Sequence, residues 1–132
     1  MTITAAQAQK AIAAGLAKAK ELKSPSSIAI LDSGRNLIAF QRMEGALLAS
    51  IEISQGKAYT SSSMQMNSGD LMGYAQPGSP FYGLEVSHKH TMVLFGGGVP
   101  VTKDGAFAGA VGVAGGTIDN DVAVANAVAA AL

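Results

Sequence analysis

The sequence predicts an α+β fold, an antiparallel sheet with helices beside it, and three observations predict it. Segments of helical period open and close the chain, with another before its middle. Short runs of β-branched and apolar residues lie between them, two early and three late. Neighbouring runs are joined by tight-turn signals, Asp32-Ser33-Gly34-Arg35-Asn36 and Asp104-Gly105, which make hairpins and hence antiparallel pairs.

Taken in order, Thr4 followed by Gln7 is a capping box that starts a helix. Ala5, Ala8, Ala11, Ile12, Leu16, Ala19 and Leu22 give it a narrow stripe of small apolar side chains; Lys18, Lys20 and Lys23 suit its C-terminal dipole, and Pro25 stops it. "SIAILDSGRNLIAFQRM" reads as two strands, with Gly34 supplying the positive φ of the turn. From about Ala46 to Met64, Ile51, Ser54, Ala58 and Ser62 line one small-residue face of a second helix. "NSGDLMGYAQPGSPFYGL" holds four glycines and two prolines, a long structured loop with a helical turn around Asp70 to Met72. Three strands follow, at Met92 to Phe95, Val99 to Lys103 and Phe107 to Ala114. Thr117 caps the last helix, with Asp119 and Asp121 in its first turn and Val122, Ala125, Val128 and Ala129 facing inward.

At 132 residues one domain, 1–132, is the expectation. Only 14% of residues are charged while 48% are hydrophobic, too little charge for an ordinary monomer surface, so a homo-oligomer, a dimer or larger, is expected. Nine basic and nine acidic residues are scattered singly, which argues against nucleic acid and anionic membrane as partners. Without cysteine there is no disulfide framework, thiolate metal site or thiol nucleophile. The N-terminus lacks the charged start and leucine-rich core of a signal peptide, and no run of 18 apolar residues occurs, so a soluble cytoplasmic protein is expected.

The glycine-rich stretch "GGGVPVTKDGAFAGAVGVAGG" invites a phosphate-binding reading, but its spacing fails. Gly96 and Gly98 are followed by Val101 where a dinucleotide fingerprint needs glycine, and Gly56-Lys57 is followed by Ala58 where a Walker loop needs serine or threonine. Instead, Phe107, Gly109, Val111 and Val113 alternate with Ala106, Ala108, Ala110, Gly112 and Ala114. One strand face is almost bare, and a helix or another backbone can approach it closely.

The stretches "LDSGRNLIAFQRMEG", "KAYTSSS", "QPGSPFYGL" and "FGGGVPVTKDGAFAGAVGVAGGTIDND", in this order, resemble the GlcG-like and HbpS-like proteins, whose relatives include the C-terminal domain of PduO-type cobalamin adenosyltransferases. The resemblance runs from about residue 4 to the end. It implies a profilin-like antiparallel sheet flanked by helices, usually assembled into oligomers. For function it implies a small-ligand-binding protein, with haem or a similar flat carboxylate-bearing molecule as ligand. It also admits a lyase acting on a small aromatic acid, similar to hydroxylaminobenzoate lyase, or a non-enzymatic accessory protein of a metabolic operon; whether the chain is an enzyme stays open.

Against that background the candidate residues can be weighed. His88 and His90 are the only imidazoles, so a haem ligand on the first helix is excluded. On a strand both rings share a face, fit to hold a metal, to offer haem iron an axial ligand or, in a lyase, to act as acid and base; the other reading is a solvated turn. Arg42 offers a fork for a carboxylate or a haem propionate, or an ion pair with Glu44 or Glu52. Glu44 stands where relatives commonly carry aspartate, which keeps the charge at a longer reach, and Ala114 stands in place of a usual serine. Lys57 with Tyr59 and Thr60 offers a cation and a proton donor, although most helical lysines are solvated. Tyr82, with Tyr74 and Phe81, either walls a flat ligand or anchors the loop in the core. Met64, Met66 and Met72 suit adaptable packing at a subunit contact.

Overall fold

The computed structural model describes residues 2–132. Its first helix, α1 (Ala5–Glu21), begins at the expected box: the Gln7 N–H donates to Thr4 Oγ1 at 3.1 Å and the Thr4 N–H to Gln7 Oε1 at 2.9 Å. β1 (Ser27–Asp32) and β2 (Leu37–Arg42) form the first hairpin. The residue at positive φ in its turn is Arg35, at 67°, and not Gly34. Asp32 imposes this arrangement, since its Oδ1 accepts from the Gly34 N–H at 2.8 Å and the Asn36 N–H at 2.9 Å, so the side chain and not a glycine shapes the bend.

α2 (Ser50–Met64) starts four residues later than its composition suggests, because a turn closed by the Ser50 N–H on the Leu47 carbonyl precedes it. Ser54, Ala58 and Ser62 are buried as expected, while Ile51 is half-buried. Two 3-10 turns, Ser68–Ala75 and Leu84–Val86, punctuate the long loop. Met92 to Phe95 forms no strand. Its backbone is partnered elsewhere: the Met92 N–H donates to the Glu85 carbonyl at 2.9 Å, the Val93 N–H donates to Thr60 Oγ1 at 2.8 Å, and Ser68 Oγ donates to the Phe95 carbonyl at 2.7 Å. β3 (Gly98–Lys103) and β4 (Ala106–Ala114) meet at Asp104 and Gly105, whose φ values of 51° and 79° are those of a type I′ turn. α3 (Ile118–Ala130) is capped by Thr117 Oγ1, which accepts from the Asn120 N–H at 3.2 Å; Val124, Ala125 and Val128 are its buried apolar residues, with Val122 and Ala129 half-buried.

The four strands form one antiparallel sheet in the order β2-β1-β4-β3. α1 and α3 cover one face, where Ile28, Ile30, Val111 and Val113 meet Ile12, Val124 and Val128. α2 covers the other, bare face, where Ala29 and Leu31 meet Ala58. Gly112 explains the closeness of that contact, because any Cβ there would run into the Ser54 carbonyl and the Ala58 amide of α2. The glycines of β4 are packing devices, as their alternation predicts. Among the described residues no helix is long and apolar enough to cross a membrane.

Candidate functional site

The outward side of α2 forms the floor of a groove of about 580 Å³. The first hairpin walls it on one side through Leu31, Arg35 and Leu37, and the 89–93 segment walls it on the other through Lys89, His90 and Val93. Gly56 brings the second wall close, since a side chain there would strike Val93 Cγ2. Thr60 pins that wall by accepting the Val93 N–H while donating to the Gly56 carbonyl at 2.8 Å.

Tyr59 is the centre of the groove. The Arg35 guanidinium lies 5.1 Å from the centre of its ring, and Arg35 Nη1 donates to Tyr59 Oη at 3.1 Å and to Ser63 Oγ at 3.3 Å. The His88 and His90 rings approach Tyr59 edge-on, with centroids 6.1 Å and 5.4 Å away. The two imidazoles sit in a bend and not on a strand, yet tertiary packing gathers them at one phenol. No group of three histidine, aspartate, glutamate or cysteine side chains suited to a metal ion occurs among the described residues. The groove thus combines apolar walls, two cations, one acid in Glu52, and an imidazole. That set can hold a flat apolar body by its edges, ion-pair its carboxylates and offer nitrogen to an electrophilic metal.

Other expected residues lie elsewhere. Arg42 and Glu44 are exposed and make no ion pair among the described residues, with each other or with Glu52. Tyr82 is 68% exposed and does not line the groove; Tyr74 and Phe81 pair with each other at 6.0 Å and also face outward, so none of the three anchors the loop. That anchoring falls to Leu71, Ala75, Met92 and Leu94, with Met64 and Met66 packed against them. Thr60 is buried and structural.

Lys57 is the largest departure. It is 1% exposed, neither solvated nor free to draw a ligand, and its ammonium donates to Asp121 Oδ2 at 3.0 Å and to the Val113 carbonyl at 2.8 Å, with the Phe95 ring 5.1 Å away. Burial lowers its pKa below the ordinary 10.5, and the charge and hydrogen bond of Asp121 oppose that shift. Asp121 Oδ1 also accepts the Gly116 N–H at 3.0 Å, so the pair fastens α2 to the start of α3. Arg35 and Lys89, which the pattern of the chain does not single out, take the places at the groove expected of Lys57 and Arg42, and Glu52 lines the groove with them. The one signal for Arg35 is local: a turn at Asp32 that forces a non-glycine residue to positive φ.

Comparison with known proteins agrees with this architecture. The family described as haem degrading protein HbpS-like matches residues 3–130. An uncharacterized 15.0 kDa protein of the dhaT-dhaS intergenic region of Citrobacter freundii is 41% identical over 120 residues, covering 91% of this chain and 84% of that one. The corrinoid adenosyltransferase PduO of the same organism is 34% identical over 119 residues, which cover 90% of this chain but only 36% of PduO. Among solved structures, a PduOC:heme complex superposes with a TM-score of 0.95 at 30% identity, covering 100% of this chain and 96% of that one.

Proposed function

The chain belongs to the HbpS-like family, and from that premise we propose that it binds haem, or a similar flat carboxylate-bearing molecule, in the groove over Tyr59. The observation that carries the reading is the convergence on one half-buried phenol of Arg35 and both imidazoles, beside Lys89 and the apolar Leu31, Leu37 and Val93. The residues fit such a ligand: Arg35 and Lys89 would hold its carboxylates, the apolar walls would take the ring edges, and His90, which lines the groove, would offer its imidazole nitrogen to the iron. Haem bound there would supply a redox-active iron centre. Arg35 has its hydrogen bonds to Tyr59 and Ser63 to exchange for a propionate.

Titration with hemin tests this. A Soret band that saturates at one haem per chain is expected, and His90→Ala should shift and weaken it. Arg35→Ala should raise Kd about tenfold, the worth of one charge-assisted hydrogen bond. Tyr82→Ala, outside the groove, should change nothing. Unchanged spectra and affinity in both groove variants would refute the assignment. A lyase is the second reading, favoured by Tyr59, whose hydroxyl accepts from Arg35 and whose ring both imidazoles approach edge-on, a proton donor set on a groove floor. It requires turnover of a hydroxylamino-aromatic acid that Tyr59→Phe abolishes.

A further inference from the structure

Lys57 takes no part in the groove over Tyr59, yet it stands at the base of a second, smaller hollow of about 140 Å³. Leu47, Ile53, Phe95, Ala114 and Ile118 wall that hollow, and Asp121 shares its base. The neighbours of the ammonium border the same space. It donates to Asp121 Oδ2 at 3.0 Å and to the carbonyl of Val113, next to Ala114, at 2.8 Å, and it lies 5.1 Å from the centre of the Phe95 ring. The backbone makes room for the amine, because a Cβ on Gly97, whose φ is 127°, would come within 2.8 Å of Lys57 Nζ. Leu47 and Ile118 are exposed, so the rim of the hollow faces water while the amine beneath it does not.

A buried ion pair is a poor fastening in itself, since well-packed apolar side chains would hold α2 to α3 as firmly. Asp121 already takes up the charge of Lys57, so an anion gains nothing there. What is left is the nucleophilicity of the nitrogen: burial lowers the pKa of the ammonium, and a carboxylate 3.0 Å away is placed to take its proton. We propose that Lys57 is a covalent carbonyl-binding site, which captures a short, uncharged aldehyde in the hollow as a reversible imine. Asp121 takes one proton from the ammonium, the freed Nζ lone pair bonds to the carbonyl carbon, and the carbonyl oxygen receives that proton back from Asp121. A second nitrogen proton then passes through Asp121 to the hydroxyl of the carbinolamine, which leaves as water as the C=N bond forms. Ammonium and aldehyde thus give protonated imine and water, and the positive charge opposite Asp121 is kept. The apolar walls and the balanced base favour an aliphatic aldehyde over an oxo acid, whose carboxylate would stand beside Asp121.

Treating the native chain with butanal and cyanoborohydride, then mapping its peptides by mass spectrometry, tests the proposal. A butyl group should appear on Lys57 at least about tenfold faster than on Lys10, Lys18, Lys20, Lys23, Lys89 or Lys103, none of which is buried, as expected of a desolvated amine. Ile118→Trp and Leu47→Trp, at exposed positions of the rim, should each slow labelling of Lys57 at least about fivefold by filling the entrance, with circular dichroism unchanged. The proposal is overturned if the folded chain is labelled at the other lysines and not at Lys57, if Lys57 is labelled only in urea, or if neither rim variant slows its labelling. Ile53 lines the hollow and the groove alike, but the two sites have separate readouts. An adduct on Lys57 without a Soret band supports the aldehyde site and refutes haem in the groove; a Soret band without the adduct does the reverse.

Discussion

Gly112→Val is expected to abolish the cooperative unfolding transition, and Gly112→Ala to cost about 3 kcal/mol or more, the upper part of the range for overpacked cores. The reason lies in what the new atoms meet. At Gly15, Gly56 and Gly96 the nearest neighbour is a side chain that can turn aside; at Gly112 it is the Ser54 carbonyl and the Ala58 amide, backbone of α2 itself. The whole helix must move, and it also carries Tyr59 and the buried Lys57. Since a domain of this size is stable by only about 5–15 kcal/mol, the valine variant should exceed what the fold tolerates. Urea unfolding followed by circular dichroism measures the effect. Gly73→Ala provides the contrast: nothing lies within 4 Å of a Cβ there, and its stability should stay within about 0.5 kcal/mol of the native chain. Equal, small effects at both glycines would show that α2 does not rest on β4 as described.

Lys57→Met is expected to lower stability by about 3–5 kcal/mol, because it leaves the Asp121 carboxylate buried without its cation. Asp121→Asn should cost a similar amount by stranding the ammonium. Combining the two removes both charges and should recover most of the loss, a coupling that a double-mutant cycle measures directly. The pH dependence has a definite sign. Because the folded pKa of Lys57 lies below 10.5, the unfolded chain binds more protons than the folded one between that lowered value and 10.5. Native stability relative to Lys57→Met should therefore rise with pH through this alkaline window and stay flat below it. A difference that falls across the window would mean that Lys57 keeps its proton more tightly when folded, contrary to its burial.

The parts of the fold written within a few residues of one another were legible. Thr4 with Gln7, Thr117 with Asn120, and the Asp104-Gly105 turn each close a hydrogen bond or a backbone reversal over a span of at most three residues, and all three form. The alternation along β4 disclosed a bare face, but not which helix would lie on it. Met92 to Phe95 carries a strand-like pattern, but the Glu85 carbonyl takes the Met92 N–H, and the side chains of Thr60 and Ser68, 33 and 27 positions from their partners, take up further backbone groups that a neighbouring strand would have used. Helix boundaries shifted at α2 because composition does not distinguish a turn from the helix it leads into.

By itself, then, the sequence determined the class of fold, its caps and turns, the family, and the pairing of small residues with close helix contact, since these depend on local backbone geometry and on the period of side-chain size. Only the tertiary structure decided where the charges stand. Lys57 and Asp121 are 64 positions apart, and Arg35 and Tyr59 are 24 apart. Whether a lysine is solvated or sealed, and whether an arginine reaches a phenol or water, is set by burial and distance between segments that meet only after the sheet has formed, and no short-range pattern encodes either.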